Sequence, residues 1–262
     1  MYIKRERYLS KIRPFYDVDL IKVLTGVRRC GKSILLEQIK EEFIENGFDR
    51  AHIITINFED LQFEKIRTAE KLNSYVNEQI KDHDKYLIFL DEIQECPNAR
   101  CAIKFLVEDG RFDYIESGSL LGVRYKEVPS YAVGYEEICY MYPMDFEEYI
   151  RANGVQDSTI ELLKTCYSEQ SEVPEVVHQT MLKLFYTYIV VGGMPAVVQI
   201  YVNTHDIGKV VALQREILEL YRLDIGKYAE GSDKIKIRAI FDSIPAQLNE
   251  KNHRLSLIHI SE

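Results

Sequence analysis

Eight consecutive residues, Gly26-Val27-Arg28-Arg29-Cys30-Gly31-Lys32-Ser33, have the types and spacing needed to hold a phosphate chain. Glycines at both ends let backbone N–H groups turn inward around an anion, and a helix starting there adds the positive end of its dipole. In such a loop Lys32 reaches the β- and γ-phosphates and the Ser33 hydroxyl ligates Mg²⁺. Ile34 completes the stretch expected to contact the nucleotide. The plainer alternative is a glycine-rich turn with an exposed lysine. A β-rich run before the loop and an amphipathic helix after it favour the phosphate-binding reading.

A second constellation is Asp91-Glu92, directly after the apolar run YLIFL. A carboxylate at the end of a buried strand is costly unless something positive meets it, and a loop-bound magnesium would do so. Asp91 and Ser33 are the expected metal ligands. Glu92 is then placed to orient and deprotonate an attacking water. If the chain stays extended there, the two acidic side chains point to opposite sides. Ser117 or Ser119, in IESGSLLG, could touch the γ-phosphate or the water; a Ser-Gly turn capping the next helix is the equal alternative.

These residues need a scaffold that brings distant segments together. Leu20–Thr25, His52–Phe58, Tyr86–Leu90, Phe112–Glu116 and Tyr135–Met144 read as five strands. Between them fall helical patterns: Leu35, Ile39 and Phe43 on one face with Gly47 as a stop, then Leu72, Val76 and Ile80, then a helix opened by Pro97 and running through Leu106. Strands alternating with helices predict an α/β fold with a parallel sheet covered on both faces. Asp145 and Glu148 have capping-box spacing, Gly154 closes that helix, and helical periodicity dominates from Asp157 onward. The expected division is an α/β core over 1–155, a smaller all-helical lid over 156–252, and a truncated or non-native end over 253–262.

The bulk composition limits the function classes. A 262-residue chain with 46% hydrophobic and 29% charged residues is ordinary for a globular protein. Its net charge of -9 argues against a general nucleic-acid coat. Basic residues do crowd at Lys4, Arg5, Arg7, Lys11 and Arg13, while Glu136–Glu175 is acidic; solvated helix surface is the expected reading of both. The five cysteines, at 30, 96, 101, 139 and 166, and the absence of an apolar leader in MYIKRERYLSKIRPF fit reduced thiols in a cytoplasmic protein. Cys96 and Cys101 form only half a zinc site. The uncharged stretch Leu184–Thr204 is broken by Gly192, Gly193 and Pro195, so it reads as two buried helix pieces joined by a GGMP turn, with no membrane span.

Taken together, TGVRRCGKS, FLDEIQECP, SGSLLG, MYPMDFEEYI and GGMP resemble the prokaryotic AAA-family ATPases, those with a C-terminal domain of unknown function. The resemblance spans about Lys4 to Asn252. It implies an AAA+ core with a helical lid, binding of ATP and Mg²⁺, Ser117 at the sensor-1 position, and Arg5–Pro14 packed near the adenine. Relatives often place an arginine, a candidate finger, after the glycine preceding the fifth strand, where this chain has Tyr135 after Gly134. Arg124 is the only arginine left between the fourth and fifth strands and is the candidate finger. A finger acting in trans implies a homo-oligomer; a protein or DNA partner stays open. The expected activity is ATP hydrolysis by a switch or motor. A non-hydrolysing ATP-dependent interaction module and a P-loop kinase are the alternatives, and the absence of an NKxD string disfavours a GTPase.

Overall fold

The computed structural model describes residues 2–96, 99, 110–119, 136–228 and 231–249. Five strands, β1 (Ile21–Gly26), β2 (Ile53–Asn57), β3 (Tyr86–Asp91), β4 (Phe112–Ser119) and β5 (Glu136–Met141), form one sheet in the order β2-β3-β4-β1-β5. Every neighbouring pair is parallel, so all five carboxyl ends lie along one edge. The α/β class with a parallel sheet is borne out. Strand β4 separates β1 from β3, which sets the loop after β1 and the acids after β3 on either side of Ser117.

The alternation of side chains along the strands builds two cores. Tyr86, Ile88 and Leu90 of β3 pack with Ile54, Ile56, Phe112 and Tyr114 on one face, together with Leu72 and Val76 of α3 (Ala69–Gln79). Leu87 and Phe89 point to the other face, onto Leu35, Leu36 and Ile39 of α2 (Lys32–Glu45) and Leu9 and Ile12 of α1 (Glu6–Ile12). A strand covered on both sides must be apolar throughout, and each fully buried aliphatic or aromatic side chain contributes about 1.5–3 kcal/mol. Thr68 caps α3, and Gly47, at φ 93°, takes the left-handed turn after α2 that other residues resist. Apart from Ala99, which is buried, the helix expected from Pro97 to Leu106 lies outside the described residues.

Beyond β5 come α4 (Phe146–Ala152), α5 (Asp157–Glu169), α6 (Glu175–Val191) and α7 (Pro195–Thr204). The capping box is present in full: Asp145 accepts from the Glu148 amide, and Glu148 accepts from the Asp145 amide. The fifth strand stops at Met141, three residues earlier than its apolar run, because Tyr142–Met144 already serve as the approach to this cap. Backbone meets backbone at the GGMP turn. The Met144 amide donates to the Gly193 carbonyl at 2.6 Å, and a Cβ on Gly193 would sit 2.2 Å from the Met144 oxygen. The helix pieces flanking the turn are less covered than their composition predicts. Val191, Val197 and Val198 are buried, but Tyr186, Ile189 and Val190 are exposed. Among the described residues no helix is long and apolar enough to cross a membrane.

Two compact units divide the chain, Met1–His205 and Asp206–Glu262. The change from strands to helices falls near 146, but α4 to α7 belong with the sheet. Tyr188 of α6 donates to the Met144 carbonyl at 2.8 Å, and Glu148 of α4 is paired with Arg5. In the second unit α8 (Ile207–Tyr228) and α9 (Gly231–Leu248) are joined by Arg222 donating to Asp242 at 3.1 Å and by Tyr221 against Phe241.

Candidate active site

The loop after β1 is shaped by two glycines. Gly26 ends the strand at φ 158°, and a Cβ there would lie 2.2 Å from the Met141 carbonyl of β5. Gly31, at φ 98°, caps α2 in the left-handed region, and Arg29 between them also has positive φ, 64°. Val27 is half-buried, while the Arg28 guanidinium pairs with Glu59 at 2.7 Å. Cys30 is buried, and burial pushes its thiol up, so it is not poised as a nucleophile. Lys32 opens α2 with its side chain buried under the loop, donating to the Gly26 and Val27 carbonyls at 3.3 Å each. Ser33 is exposed, and Ile34 follows it half-buried on the first turn.

Across β4, Asp91 ends β3 in register with Asn57 of β2. Its carboxylate is buried and accepts from the Ser117 hydroxyl and, at 3.1 Å, from the Glu92 amide. Asn57 approaches the other oxygen at 3.5 Å. Ser117 and Ser119 lie inside β4, paired with Leu24 and Gly26 of β1, so the alternative of a Ser-Gly turn is corrected: strand pairing overrides the local turn preference. Ser117 is the one that meets Asp91.

Glu92 does not continue the strand. It takes φ 54° and ψ 48°, left-handed for a residue with a side chain, so the expected extended alternation of Asp91 and Glu92 gives way to a sharp turn. Such a conformation is held by surroundings, and Gln94 supplies them. Its amide nitrogen donates to Glu92 Oε2, and its oxygen accepts from the Ser119 amide at 3.3 Å. Gly118 leaves room for this bridge, since a Cβ there would lie 3.1 Å from Gln94 Oε1. Burial pushes the Glu92 carboxyl above the usual range, opposed by the Gln94 bond and by the charge of Lys32.

The strand order thus brings Lys32, Asp91, Glu92 and Ser117 to the carboxyl edge of the sheet. Arg124 lies outside the described residues. Among the described residues, the hydroxyls of Thr25 and Ser119 are buried there without a hydrogen-bond partner. The buried Asp91 carboxylate and exposed Ser33 hydroxyl are hard oxygen donors of the kind Mg²⁺ takes. The described group of His52, Asp82 and Asp84 lies at the amino ends of β2 and β3, where His52 meets Asp82 at 2.9 Å in exposed surroundings.

Composition misread one residue. Arg5, grouped with the solvated basic surface at the start of the chain, is fully buried and bonded to Glu148, 143 positions away. Local pattern carries no signal for so distant a pair; only the capping box around Glu148 hinted that its carboxylate is engaged.

A family model described as AAA domain matches residues 19–150, half of the chain, and a domain of unknown function, DUF8612, matches residues 182–262. An uncharacterized protein of Haemophilus influenzae is 32% identical over 169 residues, 64% of this chain and 42% of that protein. Another, of Methanocaldococcus jannaschii, is 28% identical over 179 residues, 68% of this chain and 36% of that protein. The chain therefore spans about two-fifths of the length of these relatives. Among solved structures, the S. cerevisiae Hsp104-ADP complex is similar in fold, with a TM-score of 0.50 and 16% identity over 97% of this chain and 36% of that one. The chain belongs to the AAA domain family, a nucleotide-binding, ATPase-type family, and carries a C-terminal domain of unknown function.

Proposed function

We propose that the chain binds ATP in the loop Gly26–Ile34 and hydrolyses it to ADP and phosphate. The observation that carries this reading is the convergence of the loop lysine, the Asp91–Ser117 pair and the half-buried Glu92 at one sheet edge. The loop amides and Lys32 bind and neutralise the phosphate chain. Ser33 and Asp91 are the residues that would hold Mg²⁺, which when bound offsets charge on the β- and γ-phosphates. Glu92 takes a proton from water as its oxygen forms a bond to the γ-phosphorus; the bond from that phosphorus to the ADP oxygen breaks, and the electron pair leaves with ADP. The partial burial that raises the Glu92 pKa strengthens it as a base. Ser117 holds Asp91 in place by its hydroxyl. Family membership supports the switch or motor class.

A second reading, binding without turnover, draws on one observation: Gln94 occupies an acceptor oxygen of Glu92. Phosphate release by the parent separates the two, and one variant tests the base. Glu92→Gln removes the base while leaving Lys32, Ser33 and Asp91 in place, so phosphate release should fall by roughly 10²–10⁴ with ATP affinity kept. Parent-rate hydrolysis in Glu92→Gln removes Glu92 from the chemistry, whereas a parent protein that binds ATP and releases no phosphate moves the binding module ahead.

A further inference from the structure

Arg5 precedes α1 and is 1% exposed, an unusual position for a guanidinium. Four of its N–H bonds are used. Nε and Nη2 fork onto the two oxygens of Glu148 at 2.7 and 3.1 Å. Nη2 also donates to the Tyr142 carbonyl at 2.9 Å, and Nη1 donates to the Cys30 carbonyl at 2.8 Å. The guanidinium lies 4.7 Å from the centre of the Tyr8 ring. The backbone at Arg5 is fixed as well, its amide donating to Gln38 of α2 at 3.0 Å.

The bond to Cys30 is the one with consequences for the phosphate loop. A peptide unit is planar and trans, so its carbonyl and the following N–H point in opposite directions. Holding the Cys30 carbonyl toward Arg5 turns the Gly31 N–H away from Arg5. Gly31 lies beside this cation: a Cβ there would be in ordinary contact, 3.6 Å from Arg5 Nη1 and 3.5 Å from Pro195 of the GGMP turn. The loop amide just before Lys32 is therefore oriented by a buried cation, and that cation is in turn held by the capping-box glutamate of α4.

We infer that Arg5 is a positioning residue for the phosphate loop, anchored by Glu148, and that it sets the Gly31 amide for the phosphate chain without touching nucleotide. This role rests on the ATP-binding reading. A purely structural ion pair would stabilise the whole unit without regard to phosphates. A positioning residue acts on ligands in proportion to their phosphates. Lysine keeps the charge opposite Glu148 but has one head where arginine has a fork, so it cannot hold Glu148, Tyr142 and Cys30 together.

The test is calorimetric titration of the parent, Arg5→Lys and Glu148→Gln with ATP, with ADP, and with adenosine by competition. All are measured at a temperature where circular dichroism reports each protein folded. Arg5→Lys should lose roughly 10- to 100-fold in ATP and ADP affinity, the worth of a charge-assisted hydrogen bond, with adenosine binding unchanged. Glu148→Gln, which frees the guanidinium while keeping an acceptor, should lose less and in the same phosphate-dependent way; it carries the comparison if Arg5→Lys does not fold. Equal losses for adenosine and ATP, or ATP affinity equal to the parent's in a folded variant, overturn the role. A parent that binds no ATP overturns the ATP reading itself, which a normal parent and unaffected variants would leave standing.

Discussion

Both ends of the parallel sheet bury charge, and they treat it in opposite ways. At the amino end Lys22 of β1 is fully buried and donates to Asp113 of β4 and, at 2.8 Å, to the Val18 carbonyl. Burial lowers the Lys22 pKa and raises that of Asp113, and each charge is the other's partner. At the carboxyl end the cation and the acids are kept apart. Lys32 rests on loop carbonyls at 3.3 Å, Asp91 is held by Ser117, and Glu92 by Gln94. A buried charge is thus no mark of a site by itself. What distinguishes the carboxyl end, among the described residues, is a buried lysine and two acids that form no ion pair with one another, beside a backbone loop shaped for an anion.

The largest effect that sharpens this contrast belongs to the amino end. Lys22→Met leaves Asp113 without its cation, and removing one partner of a buried pair costs about 3–5 kcal/mol. Denaturant unfolding should report that loss, while ATP affinity of the folded fraction stays at the parent value. A folded Lys22→Met protein with weakened ATP binding would dissolve the distinction between the two ends.

A smaller effect comes from pH. Glu92 works as a base only when deprotonated, and burial holds its pKa above the ordinary carboxylate range. Turnover should therefore begin to fall, on acidification, at a higher pH than an exposed glutamate would give, by roughly tenfold per pH unit below that pKa. A raised carboxyl pKa favours the folded state at low pH and loses that contribution as pH rises through it. The acid-side loss from this group is therefore catalytic and does not come from unfolding. A turnover profile flat down to the pKa of an exposed glutamate would contradict the role.

Much of the fold was legible in the residues because its causes are local or periodic. YLIFL could only be a strand covered on two sides, Leu35, Ile39 and Phe43 could only face a core, and Asp145 with Glu148 announced a helix start. The loop and the Asp91-Glu92 pair were legible because phosphate chemistry demands those types at that spacing. Three features were hidden for physical reasons. Ser117-Gly118-Ser119 has turn propensity, and only pairing with β1 makes it strand. The left-handed turn at Glu92 is imposed by Gln94 and β4, which no periodicity encodes. Arg5 and Glu148 each look like surface charges until the fold brings them together.

The most direct measurement is calorimetric titration of ATP with Mg²⁺ into the parent and into Lys32→Ala, with far-UV circular dichroism on both. Lys32 lies under the loop and, among the described residues, bonds only its carbonyls at 3.3 Å, so its removal should leave the fold intact while abolishing ATP binding and turnover. A folded Lys32→Ala protein that binds ATP with the parent's affinity would contradict the assignment of this loop as the nucleotide site.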